Sequence, residues 1–172
     1  AYAGDYGGNL YRFDLRSPNP TSWSGVKIFT TANNQPITSA PAVYRNGDTN
    51  FSVTVGTGTE IYQEDLENKY QQALYSIIED TTTSTLGTQS DLLEQTLNTS
   101  ATLVNGRTVR TASNHPITDR HKGWFIKLDP TNGERITLKP SMMGNAVLLT
   151  TRVYEKTVTA APTNQDPCLE QT

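Results

Sequence analysis

The feature that most constrains this chain is a repeat. Ile37-Thr38-Ser39-Ala40-Pro41 returns as Ile136-Thr137-Leu138-Lys139-Pro140, an offset of 99 residues (37 to 136). Each copy is followed by an apolar stretch, a turn holding Gly and Asn, and an apolar strand. In the first copy the turn is Asn46-Gly47, a strong hairpin signal, and Phe51, Val53 and Val55 then alternate on one face. In the second, Met142-Met143 precedes Gly144-Asn145, and Ala146–Leu149 follows. A shorter pattern runs beside this repeat: two apolar residues, any residue, an apolar residue and an acid. It occurs at Leu10–Asp14 and Phe125–Asp129, and at Leu74–Glu79 with one extra apolar residue. Self-similarity of this kind points to one supersecondary unit used several times.

The unit that fits is a β-propeller blade, a four-stranded antiparallel sheet of roughly 40–50 residues. The expected fold class is therefore all-β, a partial β-propeller with a partly helical insertion. Residues 1–172 read as one fragment of such a domain. The first 30 residues would be the last strands of one blade, and 37–129 a full blade. Residues 136–154 would open the next. Because the repeat spacing is about twice a blade, an insertion is expected over 58–112. Within these limits, Ala1–Leu15 reads as strand, turn and strand, since Asp5-Tyr6-Gly7-Gly8-Asn9 is a dense turn signal. Residues 26–31 read as a strand and 37–56 as a hairpin. Residues 63–71 read as a short helix or loop, 73–79 as a strand, and 90–97 as a short helix with Ser90 as its N-cap. Strands are expected around Gly106 and over 123–130. The tail, 155–172, is expected to be loosely ordered. An incomplete propeller has open sheet edges, which need a neighbour; the remaining blades of the parent chain are the expected one.

Composition agrees with many short strands joined by polar loops. Only 34% of the 172 residues are hydrophobic, and mean hydropathy is −0.54. The net charge of −3 comes from 14 basic and 17 acidic residues mixed along the chain, against a nucleic-acid footprint. No window approaches the apolar length of a membrane span, and no signal peptide opens the sequence. Ala1 lies inside an apparent strand, which suggests a fragment. Cys168 is the single cysteine, expected as a free thiol or paired outside the chain.

Candidate chemistry is sparse, and no catalytic, cofactor-binding or metal residue is assigned. Asp5 and Asp14 are too few for calcium, which takes six to eight oxygens, and read as turn-capping groups. Asn46–Asn50 lacks the closing acid of a calcium loop. His115 and His121 have a spacing at the upper limit for a zinc pair, but no cysteine pair precedes them. Glu60, Glu64, Asp65 and Glu67 read as a solvated acidic face, and Met142-Met143 as core filling. Trp23, Trp124 and Tyr62 could line a glycan or protein contact, although strand-end aromatics are usually packing. No nucleophile elbow and no phosphate-binding loop occurs.

With these residues in place, the chain resembles the C-terminal propeller domain of the PilC/PilY-type type IV pilus proteins. The resemblance rests on AYAGDYGGNLYRFDL, SPNPTSW, QPITSAPAV, VGTGTEI, QALYSIIED, GWFIKLD and PTNQDPC, in order along the whole chain. It implies a non-enzymatic surface, pilus-tip, outer-membrane or periplasmic module. The expected roles are pilus assembly, twitching motility and attachment, with minor pilins or a host surface as partners. It also implies a calcium loop in the parent protein, with ligands upstream of Ala1, so no residue here inherits that role. The opening strand is similar as well to quinoprotein-type propeller repeats, which makes a dehydrogenase fragment the alternative expectation.

Overall fold

A computed structural model of the chain describes residues 1–46, 50–82, 86–98, 102–105, 107–143 and 146–154. Cys168, the tail from 155, Gly47-Asp48 and the Gly106 turn lie outside the described residues. The first sheet has the order β1 (Tyr2–Gly4), β2 (Asn9–Asp14), β3 (Ser24–Thr30) and β7 (Gly87–Thr88). Its first three strands are antiparallel, and β7 adds in parallel. The second sheet has the order β4 (Ala42–Asn46), β5 (Asn50–Gly56), β6 (Ala73–Asp80), β11 (Gly123–Lys127) and β8 (Leu93–Gln95). Four of its strands are antiparallel, as a blade requires, and β8 joins in parallel at the edge. Two further hairpins are β9 (Thr102–Val104) with β10 (Arg107–Val109), and β12 (Ser141–Met143) with β13 (Ala146–Leu148). The one α-helix among the described residues is α1 (Gln63–Glu67). The architecture is mostly β with unclosed sheets, a partial β-propeller.

Alternation along β6 explains why this strand sits at the centre. Ala73, Tyr75 and Ile77 join the larger core, with Leu10, Phe29, Val53, Val55 and Phe125. Tyr75 lies between Phe29, at 5.2 Å between ring centroids, and Phe125, at 5.9 Å. The opposite face of β6 carries Leu74, which packs with Leu128 and Ile136 in a second core. Side chains alternate across a strand, so a strand buried on both faces must be apolar at successive positions. Ala73-Leu74-Tyr75 meets that requirement, and the buried Ser76 has its hydroxyl 3.0 Å from that of Thr54. The second sheet is thus covered on one face by the first sheet and on the other by the chain around Ile136. Burial of each large core side chain is worth about 1.5–3 kcal/mol.

The sequence repeat corresponds to a repeated close approach. A Cβ added at Gly4 would stand 2.1 Å from Ile37 Cγ2, and one added at Gly56 would stand 2.1 Å from Ile136 Cγ2. The Ile37 N–H donates to Asp5 O (3.0 Å), and the Ile136 N–H donates to Thr57 O (2.9 Å). Each Ile-Thr-x-x-Pro segment therefore seats its isoleucine on a glycine at a strand end. Only glycine leaves room for that seat.

Three expectations change in detail. The segment 37–41 is not part of the hairpin. The strand begins at Ala42, after Pro41, because proline has no N–H for the ladder; Ile37 instead forms a parallel bridge with Gly58. Residues 90–97 are not a helix: Gln89–Asp91 is a single 3₁₀ turn and Leu93–Gln95 pairs with β11. Here the open edge of β11 overrides local propensity. Its cap is Thr88, whose N–H donates to Asp91 Oδ2 at 2.8 Å. The segment 58–112, read as an insertion within a blade, supplies β6 to the centre of the second sheet as well as α1, β7, β8 and the β9–β10 hairpin.

Candidate interaction surface

The Gly58–Gln72 connection between β5 and β6 forms a shaped, polar surface. Asp65 organises its first half. The Asp65 carboxylate accepts from Thr59 Oγ1 (2.8 Å), from the Ile61 N–H (3.0 Å) and from the Tyr62 N–H (2.9 Å). Burial pushes this carboxyl up, but those hydrogen bonds and the nearby Arg135 charge outweigh it and hold it below its ordinary value. Arg135 organises the second half. This buried guanidinium donates to four backbone carbonyls: Gly133 O (3.0 Å), Thr59 O (2.9 Å), Asn68 O (2.7 Å) and Asp65 O. A planar fork with five donors suits this role. The loop is consequently pinned from beneath, while Ile61, Tyr62 and Tyr70 stay exposed on its outer face.

That outer face is aromatic. Tyr62 and Tyr70 are 60% and 76% exposed, and Ile61 is 62% exposed. Tyr6, from the β1–β2 turn, meets Tyr62 edge-on with ring centroids 6.3 Å apart. Between this face and the Ala32–Pro36 turn runs a groove of about 430 Å³.

The sequence candidates fall in separate places. Asp5 is a turn group: it accepts from the Asn9 N–H (2.8 Å), from Asn9 Nδ2 and from the Tyr11 hydroxyl (3.2 Å). Burial raises its carboxyl, the Asn9 and Tyr11 hydrogen bonds lower it, and the net shift is downward. Its contribution to stability is full above the ordinary carboxylate range and fades as pH falls through the depressed folded value. Asp5→Ala should cost about 1–2 kcal/mol, and Asp5→Asn should recover most of that, measured as the urea midpoint at pH 7. Asp14 pairs with Arg16 at 2.6 Å on the surface. His121 Nδ1 contacts Thr118 Oγ1 at 3.0 Å, and His115 is tied to Gln95 through its backbone. Among the described residues, no group of three or more His, Cys, Asp or Glu side chains could hold a metal ion.

The acidic run divides. Asp65 is buried, while Glu60 accepts from Arg152 Nη1 (2.6 Å). Trp23 is exposed and donates through Nε1 to Ser17 O (2.9 Å). Trp124 packs against the Leu74 core. Met143 is 65% exposed and Met142 is only partly buried, its sulfur 4.0 Å from Thr54 Oγ1, so neither fills the core as expected. None of these aromatic candidates lines the groove; Tyr62 touches it through its edge-on contact with Tyr6. Tyr6, Tyr70, Asn33 and Asn34 were missed. Their signal is aromatic and amide residues inside turns, which also suits any surface loop.

No described helix is long and apolar enough to cross a membrane. A family model described as the PilY1 beta-propeller domain matches residues 1–110. The type IV pilus biogenesis factor PilY1 homolog of Xylella fastidiosa is 31% identical over 176 residues, covering 97% of this chain and 13% of that protein. The type IV pilus biogenesis factor PilY1 of Pseudomonas aeruginosa PAO1 is 26% identical over 216 residues, covering 99% of this chain and 18% of its own length. The chain thus spans less than a fifth of these relatives. The crystal structure of the Pseudomonas aeruginosa PilY1 C-terminal domain matches with a TM-score of 0.76 at 26% identity, over 88% of this chain and 41% of that one.

Proposed function

Because the chain belongs to the PilY1 β-propeller family, we propose that it is the partial propeller of a non-enzymatic pilus biogenesis factor supporting pilus assembly, twitching motility and attachment. The observation that carries this reading is the agreement of two kinds of likeness over one stretch. The family match spans 1–110, and the structural match to a PilY1 C-terminal domain extends over 88% of the chain. The relatives named above are pilus biogenesis factors, which supports a role at the cell surface or pilus with pilus components, minor pilins among them, as partners. A host surface is the further partner that attachment would require. In this reading, calcium belongs to carboxylates elsewhere in the parent protein. The quinoprotein-like alternative gains nothing from these relatives' names.

Deleting residues 1–172 from the parent protein should remove surface pili and abolish twitching and adherence. The truncated protein must still be detected in the cell envelope. Unchanged piliation, twitching and adherence would overturn the proposal.

A further inference from the structure

The groove beside α1 has a chemistry that pilus assembly does not account for. Its volume of about 430 Å³ falls among ligand-sized clefts, roughly 300–1,000 Å³. Tyr6 and Tyr70 line it, both more than half exposed. Amides make up much of the remainder: Asn33, Asn34, Gln71 and Gln72. Among the described residues no Lys, Arg or His lines it, and the one carboxylate among them, Asp65, is committed to the loop by three hydrogen bonds.

Several of these amides are unused. The side chains of Asn33 and Asn34 make no hydrogen bond among the described residues, although both residues are held in the left-handed region, at φ 50° and 53°. Gln72 is buried, and its Oε1 has no hydrogen-bond partner among them. A buried acceptor left unpaired costs about 1–3 kcal/mol. Its terminal amide torsion is soft, so a donor entering the groove can complete it.

These features define a ligand class. An anion would find no cation among the described lining residues. An aliphatic ligand would leave the amides unpaired. A neutral polyol with apolar C–H faces satisfies both components, with its hydroxyls on the amides and its ring faces on tyrosine, whose body is apolar and whose tip is polar. We propose that this groove binds a neutral saccharide of about one or two rings, with Tyr70 and Tyr6 as the stacking faces and Asn33, Asn34 and Gln72 as the hydroxyl-reading amides. The inference rests on the attachment part of the pilus reading and gives it a ligand class.

The test uses the whole protein that contains this chain. Its probes are arrayed neutral oligosaccharides ending in galactose, glucose, mannose or N-acetylhexosamine, beside sialylated and sulfated ones. At least one neutral series should bind. Tyr70→Ala and Asn34→Gly, which keeps the left-handed backbone accessible, should each weaken that binding about tenfold or more. Tyr44→Ala, at an exposed tyrosine on β4, should leave it unchanged, and all three variants should keep the wild-type unfolding midpoint. Four results would overturn the assignment: no neutral glycan bound, binding to acidic glycans alone, neutral binding unaffected by both groove variants, or capture of a pilin subunit sensitive to Tyr70→Ala with no glycan bound. Pili counted in the same strains separate the two readings, since Tyr70→Ala should leave their number unchanged while the 1–172 deletion removes them.

Discussion

Arg135→Met is expected to destabilise the domain by about 3–5 kcal/mol, a large part of the stability of a domain this size. Methionine matches much of the side chain's volume, so the loss would come from polar groups rather than a cavity. Four carbonyls, at Thr59, Asp65, Asn68 and Gly133, lose the guanidinium together, and of these Asp65 O keeps the Asn68 N–H (3.2 Å). Each buried carbonyl left unpaired costs about 1–3 kcal/mol before relaxation. The Asp65 carboxylate also loses its nearby positive charge. Arg135→Lys keeps the charge but not the fork, so it should recover only part of the loss. Urea unfolding followed by Trp23 and Trp124 fluorescence measures both variants. A Met variant within about 1 kcal/mol of wild type would show that the guanidinium does not hold the 58–68 loop.

The second large effect is expected at Glu79, where the first two sheets are joined by polar groups. Glu79 is buried on β6. It accepts from the Tyr2 hydroxyl on β1 at 2.6 Å and from Arg12 Nη1 on β2. Burial and the bond to Glu79 hold the Tyr2 phenol well above its ordinary range, so it stays a donor throughout the working pH range. Glu79→Ala removes the carboxylate facing a mostly buried guanidinium and should cost about 3–5 kcal/mol. Tyr2→Phe removes one charge-assisted bond and should cost about 1.5–3 kcal/mol. In a double-mutant cycle, Glu79→Ala with Arg12→Ala should cost clearly less than the two single changes summed. Additive costs would mean that the contact between the sheets is carried by the apolar core alone.

The strands were legible where a local pattern and a tertiary requirement agreed. Alternation in Phe51–Val55 and the apolar run of Ala73–Ile77 mark β5 and β6; Val53, Val55 and all of Ala73–Ile77 are buried, while Phe51 is only partly buried and Thr54, on the other face of β5, is buried too. Residues 90–97 were misread because Leu92, Leu93 and Leu97 satisfy a helical spacing as readily as a strand. The choice was made by the unpaired edge of β11, far along the chain. Position 37 was misread because Pro41 forbids a continuous strand, while the parallel bridge to Gly58 depends on a neighbour 21 residues away (37 to 58). The groove was less legible still. Tyr6, Asn33 and Tyr70 come from three separate turns, and no window of sequence contains them together.

By itself, the sequence determined the repeat, the β-rich class and the positions of most strands. These follow from side-chain periodicity and turn chemistry, which act between residues close along the chain. Tertiary structure decided the rest. It set Gly4 against Ile37 and Gly56 against Ile136 as equivalent seats. It joined Arg135 to the loop at 59–68 and Glu79 to the first sheet, and it brought a few tyrosines and amides around one groove. Each of these contacts links residues more than 25 positions apart, and its strength depends on burial, which only the packed sheets supply.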